Sequence, residues 1–317
     1  MVNLQAVELD WLLLYRMACD EAKEADATFT WRSTPMTMKC VTYNIQFGFG
    51  MDSRYDLERI VDAVRGADLI ALQEVTRNNP QNGGVDMVDG LCNLLPDYFH
   101  VFGAPFQLGF ASRMEGEKAV SEYFEFGNMI LSKKPIISSR NLLLPRTRTE
   151  EVLNLQRGAL EAMVETPIGP VRFYSVHLDH MREAERLAQI DFLMQRVLSY
   201  TEEGGAVSGL PSRGFPEPPH PEHAILMGDF NMEPESSGYV AICGPAANRV
   251  GEFIDISIPE GIAAADSHTW FDTGDTGRKS RLDYCFVTPG LAGHAGKARV
   301  DTEAQGSDHR PVWFELG

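Results

Sequence analysis

The chain has 317 residues, 44% of them hydrophobic, and a formal net charge of −17. This length and composition allow one large domain or two small ones, and no apolar run approaches the roughly 20 residues of a membrane span. The acidic balance argues against a protein that grips duplex DNA through its phosphates, because such proteins normally present a basic face. Bulk nucleic acid is therefore not the favoured partner.

The cysteines and the N-terminal apolar stretch indicate the cellular compartment. The five cysteines are odd in number and include no Cys-x-x-Cys pair, so neither a disulfide framework nor a zinc site is expected. The run from Trp11 to Leu14 is short and flanked by acidic residues, unlike a secretory signal. We therefore expect a cytoplasmic protein.

Residues 1 to 37 differ from the rest of the chain. Apolar side chains recur there at helical spacing, at Leu4, Val7, Trp11, Leu14 and Ala18. We predict an N-terminal extension with a short helix over 1–37, followed by one catalytic domain over 38–317. Met38 could itself serve as a start, and the purpose of the extension stays open.

From Met38 onward strands alternate with helices. The predicted strands are Val41 to Ile45, Asp68 to Gln73, Phe126 to Ser132, Ala159 to Glu165, Val171 to Leu178, Ala224 to Met227, Asp283 to Val287 and Val312 to Leu316. Amphipathic helices are predicted over Tyr55 to Arg65 and Arg182 to Tyr200, with a surface loop over 201–221. This pattern predicts an α/β (α+β) fold, a four-layer sandwich of two mostly antiparallel sheets with helices outside.

Six short motifs each place a polar or titratable residue beside an apolar run. They are Tyr43-Asn44-Ile45, Leu72-Gln73-Glu74-Val75, Ser175-Val176-His177-Leu178, Gly228-Asp229-Phe230-Asn231, Arg281-Leu282-Asp283-Tyr284 and Ser307-Asp308-His309. A carboxylate beside an imidazole is the pair needed to take a proton from water next to a metal ion. The recurrence predicts a site assembled at one rim of a sheet scaffold.

In this order the motifs resemble those of the endonuclease/exonuclease/phosphatase superfamily, whose fold is that of deoxyribonuclease I. The resemblance spans residues 38 to 317 and rests on the joint order of the motifs. His177 is typical of the histidine-containing branch, because relatives of exonuclease III carry Asn or Gln there. The resemblance implies a hydrolase of phosphate esters that depends on Mg²⁺ or Mn²⁺ and works by in-line attack of an activated water.

The resemblance also implies individual roles. Glu74 matches the principal metal ligand, which Asn44 supports, and Asp308 helps to bind the ion directly or through water. His309 matches the base that activates water, and Asp283 orients its imidazole.

Four further roles follow from the same resemblance. Asp229 matches a residue that positions or activates water or approaches the metal, and Asn231 one that donates to a phosphoryl oxygen. His177 is expected to stabilise the charge on the phosphorane and to protonate the leaving oxygen. Asn128 and Arg157 are candidates for substrate contact, with a hydrogen-bonded structural role as the alternative for each.

The substrate is less defined than the reaction. His180 and Asp179, which follow His177, are expected to be structural. A small or lipid-derived phosphodiester, or a phosphomonoester, suits the acidic chain, and a metal-dependent endo- or exonuclease on DNA or RNA is the alternative. A non-catalytic binding module would be expected to have lost a ligand or base, whereas every core position here is filled. The number of metal ions and the oligomeric state stay open.

Overall fold

The computed structural model describes residues 37–150, 152–244, 253–257, 267–274, 276–296 and 298–317. The predicted N-terminal helix lies outside these residues. By its internal contacts the described part of the chain divides into two units, one with Thr37–Ala206 and Pro219–Gly317 and one that includes Val207–Pro218. Within 207–218 there is a 3₁₀ turn at Leu210–Arg213, and the Glu217 carboxylate accepts hydrogen bonds from two backbone amides.

The larger unit is built mainly from strands. In chain order they are β1 Met38–Asn44, β2 Leu69–Arg77, β3 Phe99–Gly109, β4 Arg113–Glu115, β5 Lys118–Val120, β6 Tyr123–Ser132, β7 Ile136–Leu143, β8 Gly158–Thr166, β9 Gly169–His177, β10 Ala224–Asp229, β11 Ile254–Asp255, β12 Trp270–Phe271, β13 Lys279–Ser280, β14 Asp283–Val287, β15 Arg299–Val300 and β16 Val312–Leu316. The described helices are α1 Leu57–Val64, α2 Met87–Leu94, α3 Glu183–Leu198, α4 Tyr200–Glu203 and α5 Ser237–Cys243, with 3₁₀ turns at Gln46–Gly48, Pro80–Asn82 and Pro289–His294. Among the described helices, none has the length and apolar character of a membrane span.

Two six-stranded sheets form the scaffold. Their strand orders are β15-β16-β1-β2-β6-β3 and β11-β14-β10-β9-β8-β7. In the first sheet β1 and β2 are parallel, and in the second β9 and β10 are parallel. The other described pairings are antiparallel, as are the small ribbons β4–β5 and β12–β13. The predicted pair of mostly antiparallel sheets is confirmed.

The sheets pack face to face, with helices on both outer faces. One buried cluster joins apolar residues of both sheets, such as Ala71 and Ile130 of the first and Phe173 and Met227 of the second. A second cluster packs α1 and α2 on the first sheet, and a third packs α3 and α5 on the second. The four layers of the predicted sandwich are therefore confirmed.

The amphipathic helices begin and end close to the predicted positions. Asp56 caps α1 because its carboxylate accepts from the amides of Glu58 and Arg59. In α3 the predicted apolar stripe is buried except at Leu187, which lines a cavity described below.

Among the described elements, the sequence did not predict the strands β3, β4, β5, β7, β11, β12, β13 and β15 or the helices α2, α4 and α5. Strand β3 contains Pro105 within an irregular register between Gly103 and Phe106, and proline normally indicates the interruption of a strand. Strand β7 alternates half-buried and exposed positions, but its apolar residues stand in pairs at the two ends, so the sequence shows no hydrophobic alternation. The predicted loop over 201–221 begins later than expected, because α4 extends to Glu203.

Candidate active site

The first sheet brings three of the predicted motifs to one rim. Strand β1 ends at Asn44, and the parallel strand β2 carries Glu74 just past the register pair Asn44–Gln73. Strand β16 is antiparallel to β1, so Asp308 and His309, which precede it, return to the same rim. The residues converge because parallel strands end, and an antiparallel neighbour begins, at the same edge.

The second sheet repeats this arrangement. Asp229 at the end of β10 is in register with His177 at the end of the parallel strand β9. Asp229 is also in register with Asp283, which begins the antiparallel strand β14. The two sheets therefore present their motifs side by side.

The backbone is strained at two of these positions. Glu74 has a φ of 62° within a bulge of β2, and Asn231 has a φ of 49°. A side chain in this left-handed region costs on the order of 1–3 kcal/mol, and such strain is concentrated at functional sites. The bulge turns the Glu74 side chain out of the regular alternation of β2.

These residues surround a cavity of about 650 Å³. The predicted site residues that line it are Glu74, Arg157, His177, Asp229, Asn231, Asp308 and His309. Asn44 and Asp283 are not on the wall and are bound to residues that are, as the hydrogen bonds below show. Five apolar side chains, Leu153, Leu155, Leu187, Met232 and Leu282, also line the cavity, beside polar ones such as Glu183 and Arg186.

His309 and Asp283 form the predicted carboxylate–imidazole pair. Nδ1 of His309 lies 2.8 Å from Oδ2 of Asp283, whose side chain is completely buried. Nε2 of the same ring faces Asp229 Oδ2 at 3.8 Å. Burial lowers the pKa of His309, but Asp283 and Asp229 outweigh it and raise the pKa to about 10.

Asp229 lies at the centre of the polar network. Its Oδ2 accepts from Asn44 Nδ2 at 3.0 Å and from Asn231 Nδ2 at 3.2 Å. The Asn231 amide also donates to the Leu178 carbonyl at 3.1 Å. Burial raises the pKa of Asp229 to about 6.

Glu74 and Asp308 are suited to hold a divalent cation. Asn44 Nδ2 donates to Glu74 Oε1 at 3.3 Å, and Trp270 Nε1 donates to Asp308 Oδ2 at 3.2 Å. Burial outweighs the lowering effect of the Arg157 charge and, together with the charges of Asp308 and Asp229, raises the pKa of Glu74 to about 7. Half-buried carboxylates that line one cavity fit a hard cation, because Mg²⁺ and Mn²⁺ prefer oxygen ligands and neutralise their charge.

A second acidic group could be taken for a metal centre. Atoms of Asp229, Asp283 and His309 lie within 4.8 Å of one another. Since Asp283 Oδ2 is bound to His309 Nδ1, we assign this trio to proton transfer.

Arg157, His177 and His180 form a cluster that the sequence only partly indicated. Arg157 Nη1 lies 2.7 Å from His177 Nε2, and Nη2 lies 2.9 Å from His180 Nδ1. Burial and the Arg157 charge lower the pKa of His177 well below its ordinary value. His180 was expected to be structural, but it lines the cavity. The predicted β8–β9 hairpin could have indicated this contact, because its register sets Gly158, the residue after Arg157, opposite His177.

Asn128 is the predicted contact that the structure does not bring to the cavity. Its Nδ2 donates to the carbonyls of Gly158 and Ser175, at 2.9 and 2.8 Å, and the residue is buried. This geometry favours the alternative structural role, in which the amide joins the two sheets behind His177. Asp179, by contrast, holds the expected structural position, since its carboxylate accepts from the amides of Met181 and Arg182.

The sequence matches the profile described as endonuclease/exonuclease/phosphatase family over residues 41–309. A comparison with curated protein sequences finds no significant match. An endonuclease/exonuclease/phosphatase from Beutenbergia cavernae is similar over 88% of this chain and 71% of its own, at 21% identity and a TM-score of 0.62. The Bacteroides thetaiotaomicron mannosyl-6-phosphatase is similar over 88% and 99%, at 18% identity and 0.58. D. rerio TDP2 complexed with single-strand DNA product is similar over 89% and 99%, at 17% identity and 0.57. At these identities the likeness shows a shared fold.

Proposed function

Because the chain belongs to the endonuclease/exonuclease/phosphatase family, we propose that it is a divalent-metal-dependent hydrolase of phosphate esters. The observation that carries this proposal is the meeting of two carboxylates, Glu74 and Asp308, with the His309–Asp283 pair in one cavity. A general base and an oxygen-rich cation site are the parts that water attack on phosphorus needs.

Water is activated between Asp229 and His309. Oδ2 of Asp229 and Nε2 of His309 are 3.8 Å apart, so one water oxygen can contact both. Asp283 holds the imidazole by Nδ1 and directs Nε2 into the cavity. The water proton passes to this pair while its oxygen forms the new bond to phosphorus and the ester P–O bond breaks.

Charge on the phosphoryl group is met by three donors. Arg157 lines the cavity and presents N–H groups, and Asn231 reaches a phosphoryl oxygen when the hydrogen that it donates to Asp229 Oδ2 turns to the substrate. His177 is held neutral by burial and by Arg157, so it acts as a hydrogen-bond donor that assists the departing oxygen.

Glu74 and Asp308 hold the Mg²⁺ or Mn²⁺ ion, and Asn44 fixes the Glu74 carboxylate. A bound ion would supply Lewis-acid polarisation of a phosphoryl oxygen, and its charge would lower the pKa of His309.

The substrate is a small organic phosphate. A cavity of about 650 Å³ lies within the range of small-molecule sites, and the four leucines and one methionine in its lining suit an organic group attached to the phosphate. The chain's net charge of −17 disfavours a long polyanion. The fold shared with a mannosyl-6-phosphatase is consistent with such a substrate.

A nuclease is the second candidate, because TDP2, bound to a single-strand DNA product, shares the fold. Salt discriminates between the two candidates. The affinity of a nuclease for an oligonucleotide should fall steeply with salt, whereas turnover of a small ester should change little.

Turnover of chromogenic phosphate esters with Mg²⁺ or Mn²⁺ tests the proposal. We expect activity that excess chelator abolishes and that added metal restores. His309→Ala should lose several orders of magnitude in kcat while its thermal unfolding stays cooperative. Undiminished turnover in chelator would refute the metal role, and near-normal turnover by the variant would refute the base.

A further inference from the structure

Arg157 is a buried cation without an anionic partner. It is only 6% exposed, and within the described part of the chain no carboxylate lies within the 4.0 Å ion-pair distance of its guanidinium. Its nearest polar neighbours are the ring nitrogens of His177 and His180, and its Nε has no hydrogen-bond partner. A buried charge is normally paired and fully hydrogen-bonded, so this arrangement is costly in the free protein.

The position of Arg157 shows why the cost is tolerated. Arg157 immediately precedes β8. Its guanidinium lies over the Phe126 ring at 5.6 Å and lines the cavity beside His177. The carboxylates that act on it from a distance are chiefly Glu74 and Asp229. In the proposed function these two groups serve the metal ion and the water, which leaves the charge of Arg157 for the substrate.

The number of anionic oxygens distinguishes the two substrate classes. A phosphomonoester carries three peripheral oxygens and about two negative charges above its second pKa near 6. A phosphodiester carries two such oxygens and one charge, and its remaining oxygen bears an ester group that cannot pair with a guanidinium. If an ion held by Glu74 and Asp308 takes one oxygen and Asn231 exchanges its hydrogen bond to Asp229 for a second, the third oxygen decides whether Arg157 gains an anionic partner.

We propose that Arg157 recognises the third anionic oxygen of a phosphomonoester and makes this cavity selective for monoesters over diesters. His180 positions the guanidinium, because its Nδ1 contacts Nη2 from the open side of the cavity. This inference rests on the proposed hydrolase function and narrows its substrate to the monoester class.

Inhibition of the Mg²⁺-loaded enzyme at pH 8 by methyl phosphate and dimethyl phosphate tests the inference without any variant. Wild type should bind methyl phosphate at least about tenfold more tightly, the range of a charge-assisted hydrogen bond to a buried guanidinium. Equal inhibition by the two compounds would overturn the inference.

Variants then assign the selectivity to one side chain. Arg157→Met should weaken methyl phosphate roughly 10- to 100-fold and dimethyl phosphate by less than about threefold. It should also lower kcat/KM for 4-nitrophenyl phosphate far more than for its methyl diester. Arg157→Lys keeps the positive charge but loses the two-pronged guanidinium. Its affinity for methyl phosphate should lie between those of wild type and Arg157→Met. An equal loss toward both esters would overturn the inference.

Arg278→Met is the matched control, since this side chain lines the same cavity but is 67% exposed and paired with Glu233. This variant should leave the ratio of kcat/KM for the monoester to that for the diester within about twofold of wild type, because an exposed ion pair contributes little. If Arg157→Met does not fold, the inhibition of wild type by methyl phosphate and dimethyl phosphate still tests whether the cavity prefers monoesters. Hydrolysis of neither ester would refute the proposed function, whereas hydrolysis of both without monoester preference would refute only this inference.

Discussion

Glu74 of the first sheet and Asp229 of the second sheet accept hydrogen bonds from one amide nitrogen, Asn44 Nδ2, at 3.3 and 3.0 Å. The opposite atom of this amide, Oδ1, accepts from the Gln46 backbone at 3.1 Å, which fixes the orientation of the side chain. A single asparagine thus sets the distance between the proposed metal ligand and the proposed water-activating carboxylate.

Asn44→Ala should weaken the binding of Mn²⁺ by about 10- to 100-fold, the usual effect of losing a group that orients a metal ligand. The physical reason is that the Glu74 carboxylate loses the donor that holds it in place. Isothermal titration of the metal-free protein measures the affinity. Asn141→Ala, on an exposed position of β7, is the control and should bind Mn²⁺ as wild type does. Unchanged affinity in Asn44→Ala would remove the asparagine from the metal site.

Asp283→Asn should lower kcat about 10³- to 10⁴-fold with little change in KM, because the amide favours the wrong tautomer of His309. The fold should persist, since the side chains have the same shape. Steady-state kinetics with a chromogenic ester measure the effect, and Asp301→Asn, whose carboxylate pairs with Arg299, should remain active. A loss smaller than tenfold would show that His309 does not depend on its buried partner.

Much of the candidate site was predictable, because each of its motifs lies at the beginning or end of a strongly apolar strand. The predicted strands over Asp283 to Val287 and Val312 to Leu316 agree with β14 and β16 to the residue. The bulge at Glu74 was not predictable, since it depends on a register shift between β2 and β6. Strand β7 also escaped recognition, since polar residues 138–141 stand between two apolar pairs and neither face shows a hydrophobic period of two.

The two residues proposed from the sequence as substrate contacts show a second limit of prediction from sequence. Asn128 and Arg157 looked alike in sequence, as polar residues within or beside a strand. The structure distinguishes them. The Asn128 amide donates both of its hydrogens to backbone carbonyls, whereas the Arg157 side chain lines the cavity. Which face of a strand meets the other sheet depends on packing between distant segments, and no local pattern encodes it.

Glu74→Gln should stabilise the metal-free protein at pH 8. The folded carboxyl has a pKa of about 7 against its ordinary 4.5, so between these values the folded state binds a proton that the unfolded state does not. Stability conferred by this group therefore falls as pH rises from about 4.5 to 7, by on the order of 3 kcal/mol. The glutamine variant escapes this loss, and its advantage over wild type should vanish near pH 4.5.

Thermal unfolding in chelator at a series of pH values measures the difference. Added Mg²⁺ should raise the melting temperature of wild type, because an ion that binds only the folded state stabilises it, and should have little effect on Glu74→Gln. Glu165→Gln, at an exposed position of β8, is the control and should follow wild type throughout. If Glu74→Gln were less stable than wild type at pH 8, the carboxylate would be a stabilising group, contrary to its burial among acids.

Gly228→Ala should destabilise the protein by about 3 kcal/mol or more, since two independent costs combine. Gly228 has a φ of 147°, and a Cβ on it would lie 2.0 Å from the Val176 carbonyl oxygen. This close approach of β10 to β9 is what brings Asp229 into register with His177, which explains the glycine of the Gly-Asp-x-Asn motif. The matched control is Gly169→Ala, where φ is 96° but nothing lies within 4 Å of the added carbon, so the cost should stay near 1 kcal/mol. Urea unfolding of both variants separates the close contact from the backbone strain, and equal losses would mean that the contact between the strands is not what requires glycine.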